Sequence, residues 1–518
     1  MRRWGLAACA SACACAFDSA GVPAGDGSTA ASTTSGGTVD GAEGADGSSG
    51  TQPRPPGDLG GGVDAGTPWA PWAQGHPIPP GPPVDGDAAA GRAALLENGY
   101  VSCGIPWVVF PLLQPFLGGM ASEPPLPGRT GANAMVPYNW TVHTNAAGVE
   151  ITSLNCLECH VGRFDGELVL GLGSADVDYT GNAGATLAGL PVPQIDIPGI
   201  EELLRFAQRY QVLGPEIVMH TVGTNPADEV AAVLAAHRDR DTLAWSDAPL
   251  AEVPDLVAPV DTPPWWRTKK KHGLFYNGMA RGDHRGTMMF ASSLCTDTID
   301  EAEAILDYFD DVRAFIATIE APVYPFAIDA SLADAGAEVF TANCAGCHGT
   351  YGDAGSDDDD TYPNLIFDVD FVGTDPLIAE YAASTPLVDW FNGSIYGAVT
   401  QLVVDDPVVG YVAPPLDGIW ATAPYLHNGS VPSLALVLDS AARPTQWQRV
   451  DHDTRNFDEL ALGWPWFTPS TGWDDAPPEV RKHIYDTTKQ GHGNGGHDFG
   501  DHLSDDERRA VLEYLKTL

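Results

Sequence analysis

A mainly α-helical fold of two similar domains with long loops, preceded by a disordered tether, is what the sequence predicts. Three observations carry that prediction: a Gly-, Ser- and Pro-rich opening stretch, two copies of one cysteine motif nearly two hundred residues apart, and amphipathic helical text around them. The chain has 518 residues, with 26 Lys+Arg against 69 Asp+Glu and a formal charge of −43. That balance excludes nucleic acid as a partner, because phosphate binding draws on a basic surface. It does not suit adsorption on an acidic membrane surface either. A hydrophobic content of 44% is ordinary for a globular chain. The longest apolar run, Cys103 to Met120, is broken by Pro106, Pro111 and Pro115 and contains Gln114, so nothing reads as a spanning helix.

Residues 1–16 have the order of an export signal: Arg2 and Arg3, a short apolar stretch, then small residues before Cys9. Leu6-Ala7-Ala8-Cys9 is similar to a lipobox, which would put a lipid anchor on Cys9. The apolar region is shorter than the usual length of about 7–15 residues, and an alanine-rich disordered leader is the alternative. The expectation is a periplasmic or cell-surface protein that meets a membrane only through that anchor. Residues 17–90 hold too few branched apolar side chains to offset their ordering entropy, and read as a flexible linker. The folded part divides into 91–322 and 323–518, with Pro322 and Pro325 marking the boundary.

Of nine cysteines, four form Cys156-Leu157-Glu158-Cys159-His160 and Cys344-Ala345-Gly346-Cys347-His348. C-x-x-C-H is the attachment pattern of c-type haem: two thiols bind the haem vinyls and the histidine that follows sits under the iron. A zinc site would hold its two C-x-x-C pairs roughly 15–20 residues apart, and no βαβ setting suggests a thioredoxin-like pair. Two covalently bound haem c groups are therefore expected, in two cytochrome c-like domains, with attachment outside the cytoplasm. Cys103 and Cys295 remain as an even pair, either a disulfide or two buried thiols.

Helices flank the motifs. Leu332, Gly336, Val339 and Phe340 share one helical face ahead of the second motif. Ser504 and Glu507 form a capping box before a closing helix lined by Val511, Leu512, Leu515 and Leu518. Thr298 and Glu301 cap a similar helix that presents Ile305, Leu306, Phe309 and Val312.

The sixth iron position separates carriers from enzymes. The last methionine is Met289, so nothing after the second motif supplies the usual Met. The candidates after His348 are His427, His452, His483, His492, His497 and His502, and His427 is placed among the cofactor-binding residues. His492 and His497 stand in a glycine-rich loop before the closing helix, and His497 is the favoured ligand. For the first haem, His220, His237, His272 and His284 are available and none stands out, so an open iron able to bind peroxide or dioxygen is expected. Trp265 and Trp266, followed by Arg267 and Lys269 to Lys271, read either as an aromatic pair between two haems with cations facing propionates, or as a core pair beside a solvated basic strip. The run Asp357 to Asp360 reads as a solvated loop, with calcium as the alternative.

The segment Pro415-Leu416-Asp417-Gly418-Ile419-Trp420 through Pro424-Tyr425-Leu426-His427-Asn428-Gly429-Ser430-Val431-Pro432 resembles one shared by the bacterial di-haem cytochrome c peroxidase and MauG superfamily. Gly99 to Pro106, Asn155 to Gly162, Tyr362 to Leu365, Gly373 to Pro376 and Gly496 to Gly500 look more like its rubber-oxygenase branch. The resemblance implies that His160 and His348 are proximal ligands and that His497 is the distal ligand of an electron-relay haem. It implies an open, reactive first haem, and a bridging role for Trp265 or Trp266. Peroxide or dioxygen as oxidant, a redox protein or small electron donor, and a hydrophobic polymer as substrate follow as expectations. Two features depart from the peroxidases: no distal Met is available, and Val161 to Tyr210 contains no histidine. A carrier with two six-coordinate irons, using His220 or His284 at the first, is the rival expectation.

Overall fold

The architecture is clearest at the helix pairs beside the motifs. In the computed structural model, residues 70–191, 197–352 and 360–518 are described; the expected export signal, the linker as far as Trp69, and Asp357 to Asp359 lie outside them. Helix Ala330–Asn343 starts at Asp329, whose carboxylate accepts from the Ser331 and Leu332 amides. It buries Ala333, Gly336 and Phe340 against the closing helix Asp505–Leu515, which opens with the expected capping box. The two backbones meet at Gly336: a Cβ there would stand 1.9 Å from the Ala510 carbonyl oxygen, so only glycine fits. The first half repeats the device. Helix Ala88–Glu97, capped by Asp87, crosses helix Ile299–Ala317, and a Cβ on Gly91 would lie 1.7 Å from the Asp311 carbonyl oxygen.

Short strands correct the mainly α expectation to a mixed fold, 38% helix and 13% strand. Four three-stranded sheets and one two-stranded sheet are present among the described residues. Their strands are too short for alternation to show, and two pairs join segments more than a hundred residues apart, as Ala280–Gly282 with Thr400–Leu402. Strand Glu150–Leu154, paired with Trp140–Thr144, leads through Asn155 directly into the first motif. A strand therefore enters the first motif, where a helix was expected; a helix does enter the second.

Residues 70–90, expected to belong to the linker, are instead part of the fold. Pro71–Gln74 forms a 3₁₀ turn, and His76–Pro77 pairs with Leu365–Ile366. Ile78 is buried with Ile366 and Val412, and the Trp72 ring lies over Gly346 within the second motif. Two apolar anchors in a Gly- and Pro-rich stretch suffice to dock it, and average composition conceals them.

Trp265 packs in a core with Leu157, Phe309 and Phe391, while adjacent Trp266 packs in another with Phe340, Trp420 and Leu515. Both cores draw residues from either side of position 322. Cys103 and Cys295 form a disulfide, Cα–Cα 5.7 Å, buried in a third core beside Ile105 and Trp140. No described helix is long and apolar enough to cross a membrane.

Candidate haem-attachment sites

Cys156, Cys159 and His160 sit on the short helical turn Leu157–His160. Asn155 sets that turn: its side chain accepts from the Leu157 amide at 2.8 Å and donates to Thr141 Oγ1 at 2.7 Å. Neither thiol is in a disulfide. Cys159 Sγ takes a hydrogen bond from Asn225 Nδ2 at 2.9 Å. Burial pushes both thiols up to about 11, the opposite of the depressed value a thiolate redox pair needs. All three motif residues line a cavity of about 1100 Å³, with Tyr100, Leu234 and Phe290 among its walls. The His160 imidazole stacks on Trp265, centroids 4.6 Å apart and 23° between planes, and its buried Nδ1 has no hydrogen-bond partner. Burial holds its pKa down to about 3, so the ring is neutral, as a ligand must be.

Cys344, Cys347 and His348 occupy the equivalent turn Ala345–His348, eight residues beyond Gly336. His348 Nδ1 donates to the Pro414 carbonyl oxygen at 2.8 Å, which fixes the tautomer and leaves Nε2 free to ligate. The His497 ring faces His348 with centroids 6.2 Å apart. Two metal–imidazole bonds of about 2 Å each, plus the two half-rings, span roughly the same distance. His497 sits at φ +44°, its amide bonded to the Val372 carbonyl at 2.8 Å, and its buried Nδ1 has no partner. Burial pulls it down to about 3. Its loop is tied twice: Asn428 Nδ2 donates to the Gly491 and Gly493 carbonyls, both at 2.9 Å. Arg443 donates to the Asn494, Gly496 and His497 carbonyls. At each motif two thiols outside any disulfide and a neutral imidazole fit c-type attachment.

The remaining candidates fall elsewhere. Trp266 Nε1 donates to the Asp417 carbonyl at 2.8 Å, so the tryptophan pair is placed with one ring on His160 and the other anchored beside the segment leading to His427. His427 is not paired with His348; it is buried and stacks on Tyr411 at 4.3 Å, with Nε2 to Tyr411 Oη 3.2 Å, beside the half-buried Tyr276 and its partner Asp261. His492 stacks on His220 at 5.2 Å, and His452 and His483 bond each other. Of the rival first-haem ligands, His220 lines the cavity, whereas His284 approaches the His272 carbonyl and is not on the cavity wall. Asp360 pairs with Lys270, and the described residues contain no group of three or more His, Cys, Asp or Glu side chains placed to hold a metal ion by themselves. Sequence reasoning missed Pro414, Asn428, Arg443 and Asn225. Pro414 and Arg443 act through or on backbone carbonyls and Asn225 on a thiol 66 positions away, so none leaves a motif, whereas the Asn428 signal was present inside the recognised segment.

Residues 410–448 match a family model described as RoxA-like, cytochrome c-like. The matched stretch contains neither C-x-x-C-H motif; it supplies Pro414, Asn428 and Arg443, which hold His348 and the His497 loop, together with His427 on Tyr411. It links this part of the chain to the cytochrome c family. Two relatives, both from Sinorhizobium fredii (strain NBRC 101917 / NGR234), are similar to the chain. The uncharacterized protein y4iM is 28% identical, covering 54% of this chain and 69% of its own length. The uncharacterized protein y4iJ is 30% identical, covering 44% of this chain and 47% of its own length.

Proposed function

We propose that the chain is an exported di-haem c-type oxidoreductase, peroxidase-like or rubber-oxygenase-like, with one reactive and one electron-relay site. One observation carries the reading: His348 is faced by a second imidazole at ligating distance, whereas His160 faces a cavity of about 1100 Å³ and has Trp265, not a histidine, against its ring. When bound, haem c at each motif supplies one-electron redox chemistry, and at the first an open coordination position for peroxide or dioxygen. The chain's own residues then have distinct tasks. Cys156, Cys159, Cys344 and Cys347 hold the groups covalently. Pro414 orients His348, and Asn428 and Arg443 hold His497 in place. Trp265 and Trp266 supply adjacent aromatic rings in two different cores, a path by which electrons can pass between the sites. Leu234, Phe290 and Phe391 give part of the cavity an apolar wall, which suits an apolar substrate. The charge of −43 suits steering of a basic electron donor, and the Cys103–Cys295 disulfide agrees with an oxidising compartment.

A second reading, an electron carrier without substrate, draws on His220, the other histidine on the cavity wall. Cyanide titration separates the two. Conversion of one haem and not the other, followed by peroxide or dioxygen turnover and tests on polyisoprene, is expected of the enzyme. Two haems that ignore cyanide and peroxide, even half-reduced, contradict it.

A further inference from the structure

Four cationic side chains line the first cavity: Arg163, Lys271, Arg481 and Lys482. Three are occupied. Arg163 pairs with Glu123 at 2.6 Å, Lys482 with Asp178 at 3.1 Å, and Arg481 donates to the Trp473 and Asp474 carbonyls at 3.0 and 3.1 Å. Lys271 has no side-chain hydrogen bond or ion pair among the described residues, although five carboxylates line the same cavity. Its neighbours in the basic run differ: Lys269 pairs with Glu320 at 2.6 Å, and Lys270 bridges Asp360 and Asp417. The basic strip is thus neither uniformly solvated nor uniformly directed at the cavity. One lysine of three is aimed there without a counter-charge.

The place of that lysine is informative. A haem bound through Cys156 and Cys159 has its vinyl edge at those thiols and its propionates on the opposite edge. Polar neighbours of the Cys159 thiol are Asn225 Nδ2 at 2.9 Å and Tyr179 Oη at 3.6 Å. Lys271 instead follows directly on the 3₁₀ helix that Trp265 opens. The six steps from Trp265 to Lys271 follow a 3₁₀ path and advance the chain by about 12 Å. Lys271 therefore joins the cavity wall from backbone well removed from the Trp265 ring that stacks on His160.

We infer that Lys271 is the carboxylate-binding residue of the first cavity, and that its partner is a propionate of the haem attached at Cys156 and Cys159. The inference rests on the proposed first haem and adds the residue that orients its far edge. Burial and the Arg267 charge pull the Lys271 pKa down to about 8. An ammonium kept in such a place is costly without a partner, and a propionate removes that cost. Lys271 is a positioning residue for the cofactor and needs no contact with substrate.

The test compares the midpoint potentials of the two haems in Lys271→Met, Lys271→Arg and Lys269→Met, after haem stoichiometry has been measured. In Lys271→Met the first-haem potential is expected to fall, because an uncompensated propionate favours the ferric state, while the second-haem potential stays put. Lys271→Arg restores most of the shift, and Lys269→Met moves neither haem. An unmoved first-haem potential, or an equal shift of both haems, overturns the assignment. Should Lys271→Met fail to fold, the wild-type holoprotein structure decides: Nζ within about 4 Å of a propionate oxygen supports it, and propionates turned to solvent or to another cation overturn it. A wild-type chain without haem at Cys156–His160 overturns the proposed function and this assignment together; haem in place with an unmoved potential overturns this assignment alone.

Discussion

The two halves cross a helix pair at a glycine in the same way, yet the histidines they present meet different surroundings. Gly336 against Ala510 and Gly91 against Asp311 are equivalent close approaches. In the second half the chain goes straight from that crossing to the motif. In the first half a long excursion through the Trp140–Thr144 and Glu150–Leu154 hairpin intervenes, and the motif hangs from a strand. The second histidine is oriented by a carbonyl and faced by another imidazole. The first has no orienting hydrogen bond and stands over a cavity. One helical scaffold thus supports a closed site and an open one, and the difference lies in the loops, where function is commonly placed.

The largest effect that can break this comparison is loss of one haem. Cys156→Ala with Cys159→Ala is expected to remove one covalently bound haem of two, and Cys344→Ala with Cys347→Ala the other, read as haem-to-protein ratio. Next, His497→Ala should turn the second haem from low-spin to high-spin with the first unchanged; an unaltered low-spin spectrum would remove His497 as its ligand. Smaller is the effect on the shared scaffold: Gly336→Ala and Gly91→Ala should each destabilise by about 2 kcal/mol in urea unfolding, because neighbouring backbone cannot yield to a Cβ. The smallest concerns Asp261, a half-buried carboxyl that accepts from Tyr276 Oη at 2.7 Å and that loss of hydration raises to about 8. Below pH 4 it is protonated in both folded and unfolded chains. Between about 4 and 8 only the unfolded chain ionises, so stability falls as pH rises. Asp261→Asn should lessen that fall, gaining about 1 kcal/mol on wild type between pH 5 and 8.

Both capping boxes were legible in the sequence, as were the two C-x-x-C-H turns and the glycine-loop histidine that faces His348, because each depends on side-chain identity at short spacing. The closing helices followed from their apolar periodicity. What stayed hidden depends on backbone brought together from afar. Pro414 serves His348 through a carbonyl 66 positions away, and Arg443 serves His497 through carbonyls more than fifty positions away. The sheets escaped notice for the same reason. The Lys269 to Lys271 run looked uniform in sequence, and only packing separates the lysine in the cavity from the two held by carboxylates.

The contrast between an open first site and a closed second one is tested most directly by the EPR spectrum of the oxidised protein, with haem content fixed at two per chain. One high-spin or ligand-accessible iron beside one low-spin bis-histidine iron is the expected result. Two low-spin irons that stay unchanged on adding cyanide would contradict it.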